Sequence, residues 1–195
     1  MGQLRNTYRI GIIGSTEATM DDNRKVEVYE KCYELGKLLS KIEGHIIYTG
    51  ACDGYSREVI KGVYENGGIT VGIYPNLYYQ SNLEIDNYVR IPIFSGLGYG
   101  IREVVMLRSV ECVIAIGGGP GTLSEMINAY YSYLPMMVLT NTGGCSNIVA
   151  DTYLDKNERV KIVSYETPEK IVRNIVPSIA EYRERHEAFH GRKLL

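Results

Sequence analysis

A chain of 195 residues is long enough for one domain with a substantial core, and 45% hydrophobic with 23% charged residues is typical of a globular protein. The net charge of −2 gives no basis for nucleic-acid binding, and no apolar run approaches the roughly 18 residues of a membrane span. Residues 1–7 hold no apolar signal core and the four cysteines form no CxxC pair, so we expect a cytoplasmic protein with free thiols.

Strands alternate with helices through the first half of the chain. Hydrophobic periodicity predicts five elements there, three buried strands and two amphipathic helices. In chain order these are Tyr8–Gly14, Val26–Leu39, His45–Thr49, Tyr55–Glu65 and Ile69–Tyr74.

Small residues follow the first two strands. Gly14 and Ser15 end the first strand, and Gly50 and Asp53 lie in the turn between the second strand and its helix. Ligands of open α/β sheets bind outside the carboxyl ends of the strands, so these four residues are candidates for ligand binding. A plain tight turn explains Gly14 and Ser15 equally well.

The middle of the chain is less regular. Residues 76–87 have no clear period, and we expect a loop that is able to fold over a site. Tyr88–Phe94 is predicted to be an edge strand, because Pro92 cannot donate a hydrogen bond within a central strand. Ile101–Arg108 is predicted to be a helix. The positive charge of Arg102 lies near the start of this helix, where the helix dipole disfavours a cation, and this indicates that Arg102 has a ligand partner.

A strand, a glycine turn and a helix start follow one another in the central stretch. The apolar run Val113–Ile116 is short enough for a buried strand, Gly117–Gly121 is the turn, and Thr122–Ile127 opens a helix. Backbone N–H groups converge at such a turn and the helix dipole adds positive charge, so the expected guest is an anion, most often phosphate.

Individual roles follow from this geometry. Gly118, Gly119, Gly121 and Thr122 are the predicted phosphate-binding residues, because glycine lets the backbone approach an anion closely. Glu125 lies about one helical turn after Thr122 and faces the same side. A carboxylate would repel phosphate, so we expect Glu125 to act on the sugar of the ligand.

The remaining elements complete an α/β pattern. They are strands at Met136–Thr140 and Arg159–Ser164, a helix at Ser146–Tyr153, and a last helix from Thr167 towards Arg185 with Pro177 as a kink or break. The whole pattern predicts one Rossmann-like domain over residues 1–195, with a core at 8–180 and a charged tail at 181–195. Its fold is a doubly wound, mostly parallel sheet of about six or seven strands with helices on both faces.

His186–His190 fits the zinc motif HExxH. Only residues 191–195 follow it here, with no third ligand or substrate wall, and a solvated helix end explains the motif better. We therefore predict no metal site.

Arg102 and the segment Gly118–Glu125 together resemble the LONELY GUY family of cytokinin-activating phosphoribohydrolases. That family pairs an arginine-lysine on a helix with PGGxGTxxE after the next strand, and Gly118–Glu125 matches GGxGTxxE. Gly117 stands in place of the proline and Glu103 in place of the lysine. These departures bring the chain closer to a sister branch of the same superfamily, which includes molybdenum-cofactor carrier proteins.

The resemblance implies an enzyme that hydrolyses the N-glycosidic bond of nucleoside 5′-monophosphates without a required cofactor. Glu125 would stabilise oxocarbenium-like charge or align water, and Arg102 would orient the sugar or the phosphate. Asp53 and Glu103 are candidates for the general acid. The alternative is a non-catalytic carrier or sensor of a phosphorylated nucleotide or pterin, such as molybdenum cofactor. The resemblance also implies a homodimer or higher homo-oligomer, and residues 129–134 are a candidate contact, with core packing an equally good explanation.

Overall fold

Parallel strands form one sheet at the centre of the protein. The computed structural model describes residues 7–15, 20–50, 53–75 and 85–190. Within these ranges the sheet has seven strands. They are β1 Tyr8–Ser15, β2 His45–Thr49, β3 Thr70–Tyr74, β4 Ile91–Phe94, β5 Cys112–Gly117, β6 Met136–Leu139 and β7 Ile162–Tyr165.

Six described helices follow the strands, with none described between β3 and β4, and they cover both faces of the sheet. They are α1 Asp22–Leu39, α2 Gly54–Glu65, α3 Tyr99–Arg108, α4 Pro120–Tyr131, α5 Gly144–Ile148 and α6 Pro168–His190. Asp21 caps α1, as its carboxylate accepts a hydrogen bond from the Arg24 N–H at 3.0 Å. One core layer packs α1, α2 and α6 against the sheet, and the other packs α3 and α4 against the opposite face. The predicted doubly wound fold is confirmed.

The strand order places the ligand crevice of this fold class. The order is β4-β3-β2-β1-β5-β6-β7 and every neighbouring pair is parallel. The direction of winding reverses between β1 and β5, where Ser15 lies opposite Gly117. The carboxyl ends of these two strands therefore flank the topological switch point, at which open α/β sheets bind their ligands.

Two features of the second half differ from the sequence prediction. The helix predicted at Ser146–Tyr153 is wrong, since α5 is Gly144–Ile148. It starts earlier because the Cys145 N–H bonds to the Gly118 carbonyl at 2.8 Å, which fixes the first turn against the glycine loop. Of the predicted kink or break at Pro177, the break is wrong, because α6 continues through Pro177. Ile175 and Ile179 on either side of it are fully buried, and their packing outweighs the lost backbone hydrogen bond.

The segment 181–190, predicted to belong to a charged tail, continues α6. Arg183 anchors it by donating hydrogen bonds to both carboxylate oxygens of Glu111, at 2.7 and 3.0 Å. Glu111 is only 2% exposed. Burial alone would raise the pKa of Glu111, but hydrogen bonds from Arg183 and Arg9 hold it below its ordinary value. This ion pair ties the last helix to the start of β5.

Further predictions concern the edge strand β4, the loop at residues 76–87 and membrane-spanning helices. β4 is an edge strand of the sheet and holds Pro92, as predicted. Most of the predicted loop at 76–87 lies outside the described residues, as do residues 191–195. In the part of the chain that the structure describes, no helix is both long and apolar enough to cross a membrane.

Candidate functional site

A cavity of about 310 Å³ opens at the β1/β5 switch point. Three elements line it: the end of β1, the first half of α3, and the glycine loop with the start of α4. The residues that line the cavity include Gly14, Ser15, Arg102, Glu103, Gly119, Gly121, Thr122 and Glu125. The structure thus brings together most of the side chains and backbone groups that the sequence predicted for one site.

The glycine loop turns sharply because two of its residues adopt left-handed backbone conformations. Gly117 has φ +57° and Gly118 has φ +85°, a region that residues with a Cβ rarely occupy. A Cβ on Gly118 would lie 2.2 Å from the Thr122 hydroxyl oxygen. The Gly118 N–H in turn donates to the Ser15 carbonyl at 3.1 Å. Glycine at position 118 is therefore required both by conformation and by space.

The residues after β6 hold this loop from beneath. The Thr142 hydroxyl accepts a hydrogen bond from the Gly117 N–H at 3.0 Å and donates one to the Leu139 carbonyl at 2.7 Å. The Cys145 thiol lies 3.0 Å from the Gly119 carbonyl oxygen. The sequence analysis did not assign Thr142 or Cys145 to the site, because their partners are some 25 residues away in the chain.

On the opposite side of the loop, a Cβ built on Gly119 or Gly121 would have no atom of the described residues within 4 Å. Gly119 is the N-cap of α4 and Pro120 occupies its first turn, so the N–H groups of Gly121 and Thr122 have no acceptor within the helix. With the helix dipole behind them, these N–H groups form a site suited to an anion. Gly119 has no side chain with which to cap this helix, so its first N–H groups are available to a ligand as far as the described residues show.

Glu125 projects into the same cavity and is only 8% exposed. Burial and, to a smaller extent, the charge of Glu103 raise the pKa of Glu125, while the charge of Arg102 lowers it, and the net result is a pKa of about 8. At neutral pH the protonated carboxylic acid is therefore the prevailing form. A buried acid of this kind is able to donate a proton to a bound ligand.

Arg102 lies at the inner wall and is 7% exposed. Its Nη1 donates a hydrogen bond to the Ile73 carbonyl at 2.9 Å, which fixes the guanidinium between β3 and α4. A Cβ on Gly50 would lie 3.0 Å from that nitrogen. Gly50 thus makes room for Arg102.

Three predicted binding residues, Gly118, Gly50 and Asp53, are not among the described residues that line the cavity. Gly118 shapes the turn instead. Gly50 contacts Arg102. Asp53 is exposed at the N-cap of α2, and its backbone carbonyl accepts a hydrogen bond from the Ser56 hydroxyl at 3.1 Å. Glu103, which the sequence offered only as one candidate acid, does line the cavity.

We expect Thr142→Val to lower the free energy of unfolding by about 1–3 kcal/mol, because it leaves the buried Gly117 N–H without its acceptor. Chemical denaturation would measure the change. Thr140→Val is the matched control, since the Thr140 hydroxyl makes a longer bond, 3.3 Å, to the Tyr165 carbonyl and lies in a half-buried position. Equal losses in the two variants would contradict the role of Thr142 in holding the loop.

The other predicted features lie away from the cavity. Among the described residues, no group of three or more His, Cys, Asp or Glu is arranged to hold a metal ion. His186 packs against the ring of Tyr182. In the candidate contact at 129–134, Tyr130 and Leu134 are core residues, whereas Tyr131 and Tyr133 are 63% and 46% exposed beneath the guanidinium of Arg159. The homo-oligomer remains a prediction.

The parallel sheet, with a glycine turn at its switch point and an acidic residue on the following helix, defines a Rossmann-like α/β protein. Residues 7–172 match the model of the SLOG cluster4 family, and the chain belongs to that family. The predicted membership of this superfamily, near the branch of the molybdenum-cofactor carriers, is confirmed.

Similarity to individual proteins agrees with this assignment. The fold is similar to the X-ray structure of the protein TM1055, with a TM-score of 0.77 and 30% identity over 88% of this chain and 99% of that one. The molybdenum cofactor carrier protein of Chlamydomonas reinhardtii has a TM-score of 0.69 and 28% identity over 89% of this chain and 99% of its own. Cytokinin riboside 5′-monophosphate phosphoribohydrolase LOG5 of Arabidopsis thaliana is 29% identical over 83 residues, which are 43% of this chain and 36% of that protein.

Proposed function

We propose that this protein binds a nucleoside 5′-monophosphate in the cavity at the β1/β5 switch point and hydrolyses its N-glycosidic bond. The observation that carries the proposal is the placement of a buried, protonated carboxylic acid, Glu125, beside an open helix N-terminus in one cavity. The similarity to the phosphoribohydrolase LOG5 gives this arrangement its most direct chemical parallel.

Charge decides how the ligand lies. Its phosphate takes the positive end of α4, against the N–H groups of Gly121 and Thr122. An ionised Glu103 would repel the phosphate, so the ribose and base extend towards Glu103 and the neutral Glu125. The cavity volume of about 310 Å³ lies at the lower end of the ~300–1,000 Å³ usual for small-molecule sites, which suits a mononucleotide.

In the reaction, a water oxygen forms a bond to C1′ as the bond from C1′ to the base nitrogen breaks. Glu125 donates its proton to the departing base, which leaves as a neutral molecule, and the water loses its own proton to solvent or to the resulting carboxylate. The products are the free base and ribose 5-phosphate. The expected role of Glu125 thus changes from an ionised stabiliser of charge to a general acid, because burial keeps it protonated.

A panel of nucleoside 5′-monophosphates tests the proposal. We expect release of free base, detected by liquid chromatography, from at least one member of the panel. Binding of every nucleotide without any product over a long incubation would contradict hydrolysis.

A second candidate function is transport of a phosphorylated pterin such as molybdenum cofactor. The observation in its favour is the similarity to the carrier of Chlamydomonas reinhardtii, which extends over 99% of that protein. The same glycine loop would bind the pterin phosphate without turnover. Tight binding of the phosphorylated pterin, together with an inactive nucleotide panel, would favour this function over hydrolysis.

A further inference from the structure

Two acidic residues line the cavity, Glu125 from α4 and Glu103 from α3. The charge of Glu103 contributes to the raised pKa of Glu125, second to burial. The described residues provide neither carboxyl group with a hydrogen-bond or ion-pair partner.

The two carboxyl groups share their protons unequally. Glu125 is the more deeply buried and retains a proton at neutral pH. Glu103 is half-buried, and burial raises its pKa while the charge of Arg102 opposes that shift. Glu103 lines the cavity, and in its ionised form its carboxylate is a pure hydrogen-bond acceptor.

A ligand that fills this cavity must satisfy that acceptor. A half-buried carboxylate without a partner costs free energy, and a ligand with two adjacent N–H donors would compensate both oxygens at once. Among nucleobases, guanine presents this pair in its ring N1–H and exocyclic 2-amino group. Hypoxanthine offers one of the two donors, and adenine pairs its amino group with an acceptor nitrogen. Pterins carry the same 2-amino-4-oxo edge as guanine.

We propose that Glu103 selects ligands with a 2-amino-4-oxo ring edge, a guanine or a pterin, by accepting two hydrogen bonds from that edge. This inference rests on the proposed binding of a phosphorylated ligand at the glycine loop, since that contact directs the ring towards α3. It makes Glu103 a specificity-determining residue that acts whether or not the ligand is hydrolysed.

Surface plasmon resonance on the full chain tests this selectivity, because flowing ligand is replenished even if the protein consumes it. The probes are GMP, IMP, AMP, phosphorylated 6-hydroxymethylpterin and ribose 5-phosphate. We expect GMP or the pterin to bind at least about tenfold more tightly than IMP and AMP, since one hydrogen bond to a charged group separates them. The tighter of the two identifies which ring the site takes.

The variant Glu103→Gln should bring the affinity for GMP or the pterin to within about threefold of that for IMP. Its affinity for ribose 5-phosphate, which lacks a base, should not fall. Glu30→Gln, the same change at an exposed position of α1, is the control and should keep the selectivity of the original chain. A thermal melt verifies that each variant is folded.

Two outcomes overturn the proposal in different ways. If ribose 5-phosphate binds but GMP and the pterin bind no more tightly than IMP and AMP, the selectivity assigned to Glu103 is wrong and the anion site stands. If no probe binds, ribose 5-phosphate included, the proposed function itself fails and the selectivity fails with it.

Discussion

Glu125→Gln is expected to reduce hydrolysis of the best nucleoside 5′-monophosphate by about 10²–10⁴-fold in kcat, the usual contribution of a general acid. The amide has nearly the same shape as the acid and fills the same position on α4, but it has no proton to transfer. Ribose 5-phosphate should still bind, because the N–H groups of Gly121 and Thr122 are unchanged. Steady-state kinetics and calorimetry measure the two effects.

Glu30→Gln is again the matched control, since it makes the same substitution on an exposed face of α1. Its kcat should equal that of the original chain. Full activity in Glu125→Gln would show that the protonated carboxyl is not the acid. Loss of ribose 5-phosphate binding in that variant would instead mean that Glu125 supports the phosphate site itself.

The pH profile gives a second readout of the same group. Glu125 acts in its protonated form, so kcat/KM should be level below its pKa of about 8 and fall tenfold for each pH unit above it. The charge of Glu103 raises this pKa, so Glu103→Gln should move the alkaline limb towards lower pH. An alkaline limb that stays in place in Glu103→Gln would contradict the coupling between the two carboxyl groups.

Gly118→Ala should lower the free energy of unfolding by about 2–5 kcal/mol, because alanine is strained in a left-handed conformation and its Cβ overpacks the loop. The physical reason is the φ of +85° together with a Cβ position 2.2 Å from the Thr122 oxygen. For a chain of this size the melting temperature should fall by roughly 5–15 °C. Binding of ribose 5-phosphate should be lost as well, because the loop cannot keep its shape.

The variant Gly121→Ala distinguishes an effect on ligand binding from an effect on protein stability. Position 121 lies in the first turn of α4, and a Cβ there meets no atom within 4 Å. The melting temperature should be unchanged or slightly higher, since alanine favours a helix over glycine. Binding of ribose 5-phosphate should nevertheless weaken at least tenfold, because the methyl group occupies the space through which the phosphate approaches. Unchanged binding in Gly121→Ala would place the ligand elsewhere.

The sequence was informative wherever one local pattern decided the structure. All seven strands were predicted, because short apolar runs between turns are typical of buried parallel strands. The glycine loop and Glu125 were found for the same reason: strand, turn and helix start follow one another within a few residues. Helix α5 was misplaced because its start depends on a hydrogen bond to Gly118 rather than on its own residues.

Contacts between distant segments could not be predicted. Thr142 and Cys145 support the loop only because β6 lies beside β5, and their own neighbours give no periodic signal. Gly50 was assigned to the ligand, whereas its contact with Arg102 depends on the packing of α3 over the sheet. The sequence offered Glu103 and Asp53 equally as candidates for the general acid, and only the fold shows that Glu103 lines the cavity with Glu125.

A crystal structure with bound ribose 5-phosphate would show where the phosphate and C1′ of the ligand lie. We expect phosphate oxygens within hydrogen-bonding distance of the N–H groups of Gly121 and Thr122, with C1′ directed towards Glu125. A phosphate bound outside the glycine loop, or a sugar whose C1′ faces away from Glu125, would contradict this expectation.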